Sequence, residues 1–207
     1  MTHPIELEPL VERLAEHGWA SSDTLISASL RAQLFHTAQQ AWEQGHFHEA
    51  TIGKGLTQTL NKSIRGDAIH WLDRASSHTS IHTFLDWANA LRSELNRTLF
   101  LGLNNAEFHF ARYPAGNGYR KHIDQHKGAP ERRISLVLYL NPHWQAADHG
   151  ELVMFKPEQP EQEYQRILPL PGKLVLFRSD LIPHAVAPCL ATRWSLTGWL
   201  RTDHALI

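Results

Sequence analysis

Apolar residues in the first hundred positions recur at intervals of three and four, which is the period of an amphipathic helix. The pattern occurs in three segments: Leu7, Leu10, Val11 and Leu14; Leu30, Leu34, Ala38 and Trp42, before Gly45; and Phe84, Trp87, Leu91, Leu95 and Leu99, within about Ser80 to Phe100. Three helices are therefore predicted. Ser21-Ser22-Asp23 is the expected cap region before the second helix, and Gly102 is the expected stop of the third.

After Asn105 the period changes to two, and it stays so to Thr202. The alternation is clearest in Ile134 to Leu140, and turn signals such as Pro171-Gly172 separate the runs. About eight short strands are predicted, with no helices between them, which disfavours a parallel sheet. The expected fold class is α+β, a jelly roll (double-stranded β-helix) of about eight strands with about three N-terminal helices packed on one face.

Composition and charge narrow the functional classes. The chain has 207 residues, of which 42% are hydrophobic, and is expected to be a single domain over 1–207. Its 20 Lys+Arg and 21 Asp+Glu give a formal net charge of −1, which disfavours nucleic acid as a partner. The acidic start and the short longest apolar run predict no signal peptide, no membrane partner and a cytoplasmic location. The single Cys189 excludes an internal disulfide and a cysteine zinc cluster.

Fifteen histidines raise the chance of metal chemistry and also of accidental motifs. Chance gives roughly one or two His-x-Asp/Glu triplets in such a composition, and the chain has two, His122-Ile123-Asp124 and His149-Gly150-Glu151. Residues two apart on a strand face the same side, so His122 and Asp124 are expected to converge on one ion, with Ile123 turned into the apolar layer. The second triplet lies in a predicted turn, where polar residues and glycine are common. This setting favours ordinary loop residues over a pair of metal ligands.

A third ligand has to come from elsewhere in the chain, and His184 is the candidate. Pro183 before it favours extended backbone, which would place His184 at the mouth of a strand. Nine residues later comes Arg193, on the same predicted strand face as Ser195 and Trp199. A guanidinium on an inward face requires an anion, either one of the 21 acids of the chain or the carboxylate of a ligand.

Two histidines and one carboxylate leave three positions of an octahedral ion open, as in non-haem Fe(II) oxygenases. Tetrahedral zinc is the alternative, since histidine pairs four apart occur at His122/His126 and His78/His82. The His78/His82 pair has no glutamate in the metalloprotease position, and the other pair has no predicted helix to align it.

These residues and their order resemble a known family. The resemblance covers Ile64 to about Arg201 and rests on the following segments: Ile64-Arg-Gly-Asp67 with Trp71, Tyr113-Pro-x-Gly-x-Gly-Tyr119, His122-x-Asp124, Leu138-Tyr-Leu-Asn141, Gly150-x-Leu152, Pro183-His184-x-Val and Thr192-Arg193. Together they are similar to the 2-oxoglutarate-dependent iron oxygenases, in the prolyl-hydroxylase-domain branch that includes the animal oxygen-sensing hydroxylases.

The resemblance assigns roles to individual residues. It implies that Fe(II) is bound by His122, Asp124 and His184, that 2-oxoglutarate is bound by Arg193, Tyr139, Tyr113, Leu152 and Trp199, and that the substrate is bound by Asp67, Arg132 and Tyr119. Asp67 is expected to pair with Arg132, or with Arg133 instead. Residues 1–105 then act mainly as helical support and substrate loop, with a mobile segment near 50–66, and 106–202 form the jelly-roll core.

The implied reaction is the 2-oxoglutarate- and O2-dependent hydroxylation of a prolyl residue in a protein, releasing succinate and CO2. Elongation factor Tu is the candidate substrate, because compact microbial members that look similar act on it, and ascorbate is the expected reductant in vitro. Two alternatives stay open at this point. One is an oxygenase acting on a small molecule or a free amino acid, and the other is a non-catalytic, cupin-like metal or ligand sensor.

Overall fold

The computed structural model describes residues 7–50, 64–125 and 129–203. In these ranges the chain forms three helices, α1 (Glu8–His17), α2 (Ala28–Glu43) and α3 (Thr79–Leu99), which confirms the three periodic segments. The predicted cap region before α2 is wrong, because Ser21 and Ser22 lie in a strand and Ser27 caps the helix by accepting a hydrogen bond from Leu30 N. Helix α3 ends at Phe100, which takes the left-handed conformation before Gly102 is reached.

Eleven strands lie within the described residues. Their bounds are β1 (Trp19–Ser22), β2 (His48–Glu49), β3 (Ala68–Trp71), β4 (Asn105–Tyr113), β5 (Tyr119–His122), β6 (Arg132–Tyr139), β7 (Leu152–Lys156), β8 (Gln159–Ile167), β9 (Leu174–Arg178), β10 (His184–Val186) and β11 (Arg193–Arg201). Eight of them, β4 to β11, come from Asn105 onward, as the alternation predicted. The other three are two to four residues long and lie among the helices of the first hundred positions, where apolar residues recur at intervals of three and four.

The strands form two antiparallel sheets. The large sheet has the order β1-β9-β6-β11-β4-β3-β2, and the small sheet has the order β5-β10-β7-β8. Residues of α1, α2 and α3 share one buried apolar cluster with residues of β4, β6, β9 and β11. The helices therefore cover one face of the large sheet, and the jelly-roll prediction is confirmed.

Strand β6 shows how the sequence separates the two faces of the large sheet. Ile134, Leu136 and Leu138 belong to the cluster beneath the helices, whereas Tyr139 belongs to a second cluster with residues of β7 and β9. Ser135 is on the face opposite the helices and is buried. Because strand residues alternate in direction, this polar face is available for a site while the other face is packed with hydrocarbon.

Strands β4 and β11 run unusually close together at Gly198. A Cβ at this position would lie 2.1 Å from the carbonyl oxygen of Glu107 and 2.4 Å from the side chain of Phe108. The absence of a side chain therefore allows these two strands to pair over nine residues, from Arg193 opposite Tyr113 to Arg201 opposite Asn105. In the described parts of the chain, no helix is both long and apolar enough to span a bilayer.

Candidate active site

A cavity of about 660 Å³ is lined by residues of both sheets. Its wall contains ten of the residues that the sequence analysis selected: Asp67, Tyr113, Tyr119, His122, Asp124, Arg132, Leu152, His184, Arg193 and Trp199. Tyr139 does not line the cavity but is fully buried beside Arg193, and Arg133 is exposed. The inward face of the large sheet and the edge of the small sheet thus bring the selected residues together.

Strand pairing brings His122, Asp124 and His184 together. His122 ends β5 and His184 begins β10, and the two residues lie directly opposite each other in the antiparallel pair. Asp124 follows two residues after β5, with its carboxylate oxygens 3.5 Å from His122 Nε2 and 3.6 Å from His184 Nε2. One ligand atom from each residue lies within 4.8 Å of the others. This donor set fits a metal ion with open coordination positions.

The other polar atoms of the three side chains are already engaged. His122 Nδ1 lies 2.8 Å from the carbonyl oxygen of Arg120, and His184 Nδ1 lies 3.0 Å from that of Ile182. Each Nδ1–H can therefore donate to a backbone carbonyl and leave Nε2 as the metal-facing nitrogen. Ser135 Oγ donates a hydrogen bond to Asp124 Oδ2 at 2.6 Å.

Burial and neighbouring groups set the protonation of these side chains. Burial, reinforced by His122, lowers the pKa of His184 to about 4, so the ring is neutral near pH 7, as a metal ligand has to be. Burial by itself would raise the pKa of Asp124, but the adjacent His184 and His122 rings, whose protonated forms attract the carboxylate, and the hydrogen bond from Ser135 outweigh it and hold this pKa well below its usual range. The carboxylate is thus ionised.

One detail of the predicted ligand pair is wrong. Strand β5 ends at His122, so Asp124 lies beyond the strand. Ile123 between them is 38% exposed and does not join the apolar layer. The two ligands still converge because the chain bends at Asp124, a local turn that a pattern of alternating residues cannot specify.

Arg193 is a buried cation that has no acidic partner among the described residues. It is 2% exposed, its Nε has no hydrogen-bond partner, and the single hydrogen bond of its guanidinium in the described structure runs from Nη1 to Ser195 Oγ at 3.4 Å. The guanidinium carbon lies 5.2 Å from the ring centre of Tyr113 and 4.9 Å from that of Tyr139. The Tyr139 hydroxyl is also buried and has no hydrogen-bond partner among the described residues. Since an unpaired buried charge is strongly unfavourable, this pair of residues fits the carboxylate of a ligand.

The predicted partner of Asp67 is wrong. Asp67 accepts two hydrogen bonds from Arg65, at 2.7 and 2.9 Å, while Arg132 pairs with Glu107 at 2.9 Å. The reason lies in the strand register. Asp67 comes just before Ala68, which pairs with Arg112 near the C-terminal end of β4. Arg132 on β6 pairs with Arg201 on β11, and Arg201 in turn pairs with the first residue of β4, at its opposite end. Asp67 and Arg132 consequently lie at opposite ends of the same cavity.

Two features of the cavity wall were missed by the sequence analysis. Arg201 ion-pairs with Glu107, Glu131 and Asp203 and forms a charged cluster at the Arg132 end of the cavity. His109 on β4 is fully buried, and neither ring nitrogen has a hydrogen-bond partner in the described structure. Its position between Phe108 and Phe110 was the available signal, because alternation places a polar residue there on the face opposite the core.

The alternative histidine motifs do not form a second site in the described residues. The single group of three or more metal-ligand residues found there is His122, Asp124 and His184. His82 Nε2 contacts the carbonyl oxygen of Ser76 at 2.6 Å. His149 takes a positive φ of 54° at the end of a short 3₁₀ turn, as its loop setting predicted. His126 lies outside the described residues.

A jelly roll with two histidines, one carboxylate and an adjacent buried arginine defines the class of non-haem iron oxygenases. In agreement, residues 108–201 match the family described as the 2OG-Fe(II) oxygenase superfamily. A Pseudomonas putida prolyl-4-hydroxylase is 36% identical in sequence, with a TM-score of 0.84 and coverage of 95% of this chain and 99% of that chain. The chain belongs to the 2OG-Fe(II) oxygenase superfamily.

Other relatives are also prolyl hydroxylases. A Trichoplax adhaerens prolyl hydroxylase, in complex with a hypoxia inducible factor oxygen degradation domain peptide fragment, is 25% identical with a TM-score of 0.84, covering 96% of this chain and 90% of that one. Mouse prolyl hydroxylase EGLN3 is 27% identical over 94% of this chain and 83% of its own length. Human Egl nine homolog 1 is 27% identical over 94% of this chain, which spans 46% of that protein. The expected enzyme class, an Fe(II)/2-oxoglutarate-dependent dioxygenase of prolyl-hydroxylase type, is confirmed.

Proposed function

We propose that the protein hydroxylates a prolyl residue in a protein substrate, consuming 2-oxoglutarate and O2 and releasing succinate and CO2. The observation that carries this proposal is the convergence of His122, Asp124 and His184 within 4.8 Å in the same cavity as Arg193, a buried cation that has no acidic partner in the described structure. A metal-binding protein without turnover has no need of that guanidinium.

In this proposal, His122, Asp124 and His184 hold Fe(II) through Nε2, a carboxylate oxygen and Nε2. The bound metal, with 2-oxoglutarate and O2, supplies the oxidising chemistry. The chain supplies a fixed ligand geometry, because both Nδ1 atoms are held by backbone carbonyls and Ser135 orients the carboxylate. It also supplies apolar residues in the cavity wall, among them the buried Leu152, that limit the access of bulk water to the reacting centre.

Arg193 and Tyr139 bind the far carboxylate of 2-oxoglutarate in this proposal. The guanidinium offers several N–H donors in a planar fork, and a carboxylate can accept two of them. Burial raises the pKa of the Tyr139 hydroxyl, with Arg193 acting in the opposite sense, so the hydroxyl is protonated at neutral pH and donates a further hydrogen bond. Tyr113, whose ring centre lies 5.2 Å from the Arg193 guanidinium carbon, forms a neighbouring wall, whereas Trp199 lies toward the other end of the cavity, beneath the Arg132 guanidinium.

A polypeptide suits the open end of the cavity. Trp71 lines the cavity and is 40% exposed, and the charged groups of Arg132, Glu107 and Arg201 form part of the rim. Polar rims around an apolar pocket are common where proteins bind peptides. Tyr119, over which the Arg65 guanidinium lies at 5.0 Å, and Asp67 are proposed to contact the substrate at the other end of the cavity.

Elongation factor Tu is the first candidate substrate. The support is the resemblance to compact microbial enzymes that act on it, together with the 36% identity to a bacterial prolyl-4-hydroxylase over nearly its whole length. A proline of a cytosolic protein is consistent with the expected cytoplasmic location.

Mass spectrometry of a cell lysate tests the substrate directly. The lysate is incubated with enzyme, Fe(II), 2-oxoglutarate and ascorbate, and tryptic peptides are compared with those from a parallel incubation with Asp124→Ala. We expect a gain of one oxygen on a prolyl residue, in elongation factor Tu, with the unchanged enzyme alone. A gain on another protein would replace the candidate, and no gain on any proline would contradict prolyl hydroxylation.

Succinate release separates this proposal from action on small molecules. With a proline-containing peptide of the modified protein, succinate release is expected to rise above the slow release that we expect with no prime substrate. If free amino acids stimulated succinate release and the peptide did not, the small-molecule alternative would be correct.

A further inference from the structure

His109 is a buried histidine of the cavity wall to which the proposed reaction gives no role. It is 0% exposed, and its ring lies 4.8 Å from that of Trp71 and 5.6 Å from that of Trp199. Neither ring nitrogen has a hydrogen-bond partner in the described structure. A neutral imidazole carries one donor and one acceptor, and buried polar groups in proteins are almost always paired. Two orphaned nitrogens in a cavity wall point to a ligand that pairs with them.

The strand register gives the position of His109 in the cavity along the direction of the strands. His109 lies opposite Thr197 on β11, whereas Arg193 lies opposite Tyr113, four residues away. At about 3.3 Å per strand residue this separation is about 13 Å. Trp199, two residues from Thr197, pairs with Ser135, the residue that donates to the metal-ligand carboxylate. Measured along the strand direction, His109 is therefore closer to the metal ligands than to Arg193, which with Tyr139 forms the proposed carboxylate clamp.

The order of strands in the large sheet shows on which side of the cavity His109 lies. Strands β6 and β9 lie on one side of β11 and carry residues that contact the metal ligands. Ser135 on β6 contacts Asp124, and Phe177 on β9 contacts His184. His109 on β4 and Trp71 on β3 lie on the other side. Because Trp71 is 40% exposed, this second side leads to the surface. A ligand that enters from solvent past Trp71 meets His109 before it reaches the metal ligands.

We propose that the ring N–H of His109 donates a hydrogen bond to a main-chain carbonyl oxygen of the protein substrate beside its target proline. This inference rests on the proposed function. A prolyl residue has no main-chain N–H, so its own main-chain polar group is a carbonyl acceptor. His109 is then a positioning residue that fixes the peptide while the flanking rings of Trp71 and Trp199 provide apolar contact surface.

The electrostatic setting supports a neutral donor. Burial, followed by the positive charges of Arg65 and Arg132, lowers the pKa of His109 well below 6.5, with an opposing effect of Asp124. The ring is therefore uncharged near neutral pH, and it pairs with an uncharged carbonyl oxygen without introducing a buried charge.

Two substitutions at this position and one matched control test the proposal. His109→Phe keeps a planar ring among the aromatic neighbours but removes both nitrogens, and His109→Gln restores a hydrogen-bond donor. His70→Phe is the control, because His70 on β3 contacts His46 and Phe47 and does not line the cavity. Thermal melts of all three variants report whether the fold is retained.

Peptide binding is measured without turnover. A fluorescein-labelled peptide carrying the proline that the unchanged enzyme hydroxylates is titrated anaerobically, with Fe(II) and 2-oxoglutarate present, and its anisotropy is recorded. The loss of one hydrogen bond to a buried partner predicts an increase in Kd of about tenfold for His109→Phe. We expect His109→Gln to recover most of this loss and His70→Phe to bind like the unchanged enzyme. In a parallel titration, 2-oxoglutarate should bind all variants equally well.

The possible results separate the two proposals. If the unchanged enzyme hydroxylates the peptide and His109→Phe binds it with the same affinity, the assignment of His109 is wrong and the proposed function stands. A parallel loss of 2-oxoglutarate affinity would also overturn the assignment, because His109 would then contact the cosubstrate. If the unchanged enzyme modifies no proline in the lysate, the proposed function fails and this inference fails with it.

Discussion

His184 and His122 occupy directly opposed positions in the antiparallel pair of β10 and β5, and their ring centres are 4.2 Å apart. The pairing places two imidazoles that are distant in the sequence on one edge of the small sheet. Asp124, just beyond β5, reaches both rings. The metal-binding geometry therefore depends on strand register, and small changes in the groups that hold these rings should be visible in metal affinity.

Ser135→Ala should weaken metal binding. Ser135 Oγ donates to Asp124 Oδ2 at 2.6 Å and contacts Ser179 Oγ at 2.8 Å, so its loss frees the carboxylate to rotate. Groups that orient metal ligands typically contribute about 10- to 100-fold in metal affinity. Titration of the metal-free protein with Fe(II) under anaerobic conditions measures the change, and Ser93→Ala on the exposed face of α3 is the control. Unchanged affinity in Ser135→Ala would contradict the orienting role.

Arg193→Ala should raise the 2-oxoglutarate requirement more than about tenfold, because losing a charge-assisted contact costs about 1.5–3 kcal/mol. Succinate release at varied 2-oxoglutarate concentration measures the effect. Arg166→Ala removes a half-exposed arginine of β8 that pairs with Glu163 and should leave the requirement unchanged. The proposed carboxylate clamp would be wrong if both variants behaved alike.

His109 should make stability depend on pH. In the folded protein its pKa lies well below 6.5, so the unfolded chain takes up a proton near pH 6.5 that the folded chain does not. The free energy of unfolding should then fall as the pH drops below about 6.5, by at most about 1.4 kcal/mol per pH unit for this group.

His109→Phe removes this contribution and should flatten the pH dependence of the free energy of unfolding, measured by urea denaturation between neutral and mildly acidic pH. The exposed His17→Gln serves as the comparison and should keep the slope. Replacement of an unpaired buried polar group by an apolar ring is also expected to stabilise the fold at low pH. An identical slope in His109→Phe and the unchanged protein would contradict the shifted pKa.

Leu91→Ala should destabilise the protein strongly. Leu91 on α3 is fully buried in the cluster between the helices and the large sheet, and truncation of such a residue costs about 2–5 kcal/mol through lost contacts and the cavity left behind. Leu190→Ala removes the same atoms from a side chain that is 64% exposed and should have little effect. Thermal unfolding of the two variants, compared with the unchanged protein, tests whether the helices stabilise the sheet in this way.

The periodicity of hydrophobic residues in the sequence was sufficient to predict the main helices and strands. Helices α1 to α3 contain enough residues to show a period of three to four, and the longer strands after Asn105, such as β4, β6 and β11, contain enough to show a period of two, and their inward faces follow from it. Strands β1 to β3, like β5 and β10, have two to four residues, too few for this signal by themselves. The place of β1 to β3 at or near the edges of the large sheet depends on strand partners elsewhere in the chain.

The residue types of the site were also available from the sequence. His122 and Asp124 form a local motif, and the order of motifs up to Arg193 carries the resemblance to the family. The ion-pair partner of Asp67 could not be predicted from the sequence, because it depends on which end of β4 each neighbouring strand reaches. The same holds for His109, whose polar character is visible in the sequence but whose lack of partners is a property of the folded cavity.

The sequence by itself determined the chemistry of the donors, the two-faced strands and the helical layer, since these follow from side-chain type and local spacing. Only the tertiary structure decided that β10 lies against β5, that Arg193 is buried without an acid in the described structure, and that Arg65 rather than Arg132 neutralises Asp67. These relationships arise from the register of non-local strand pairs, which is set by the packing of whole sheets and has no local signal in the chain.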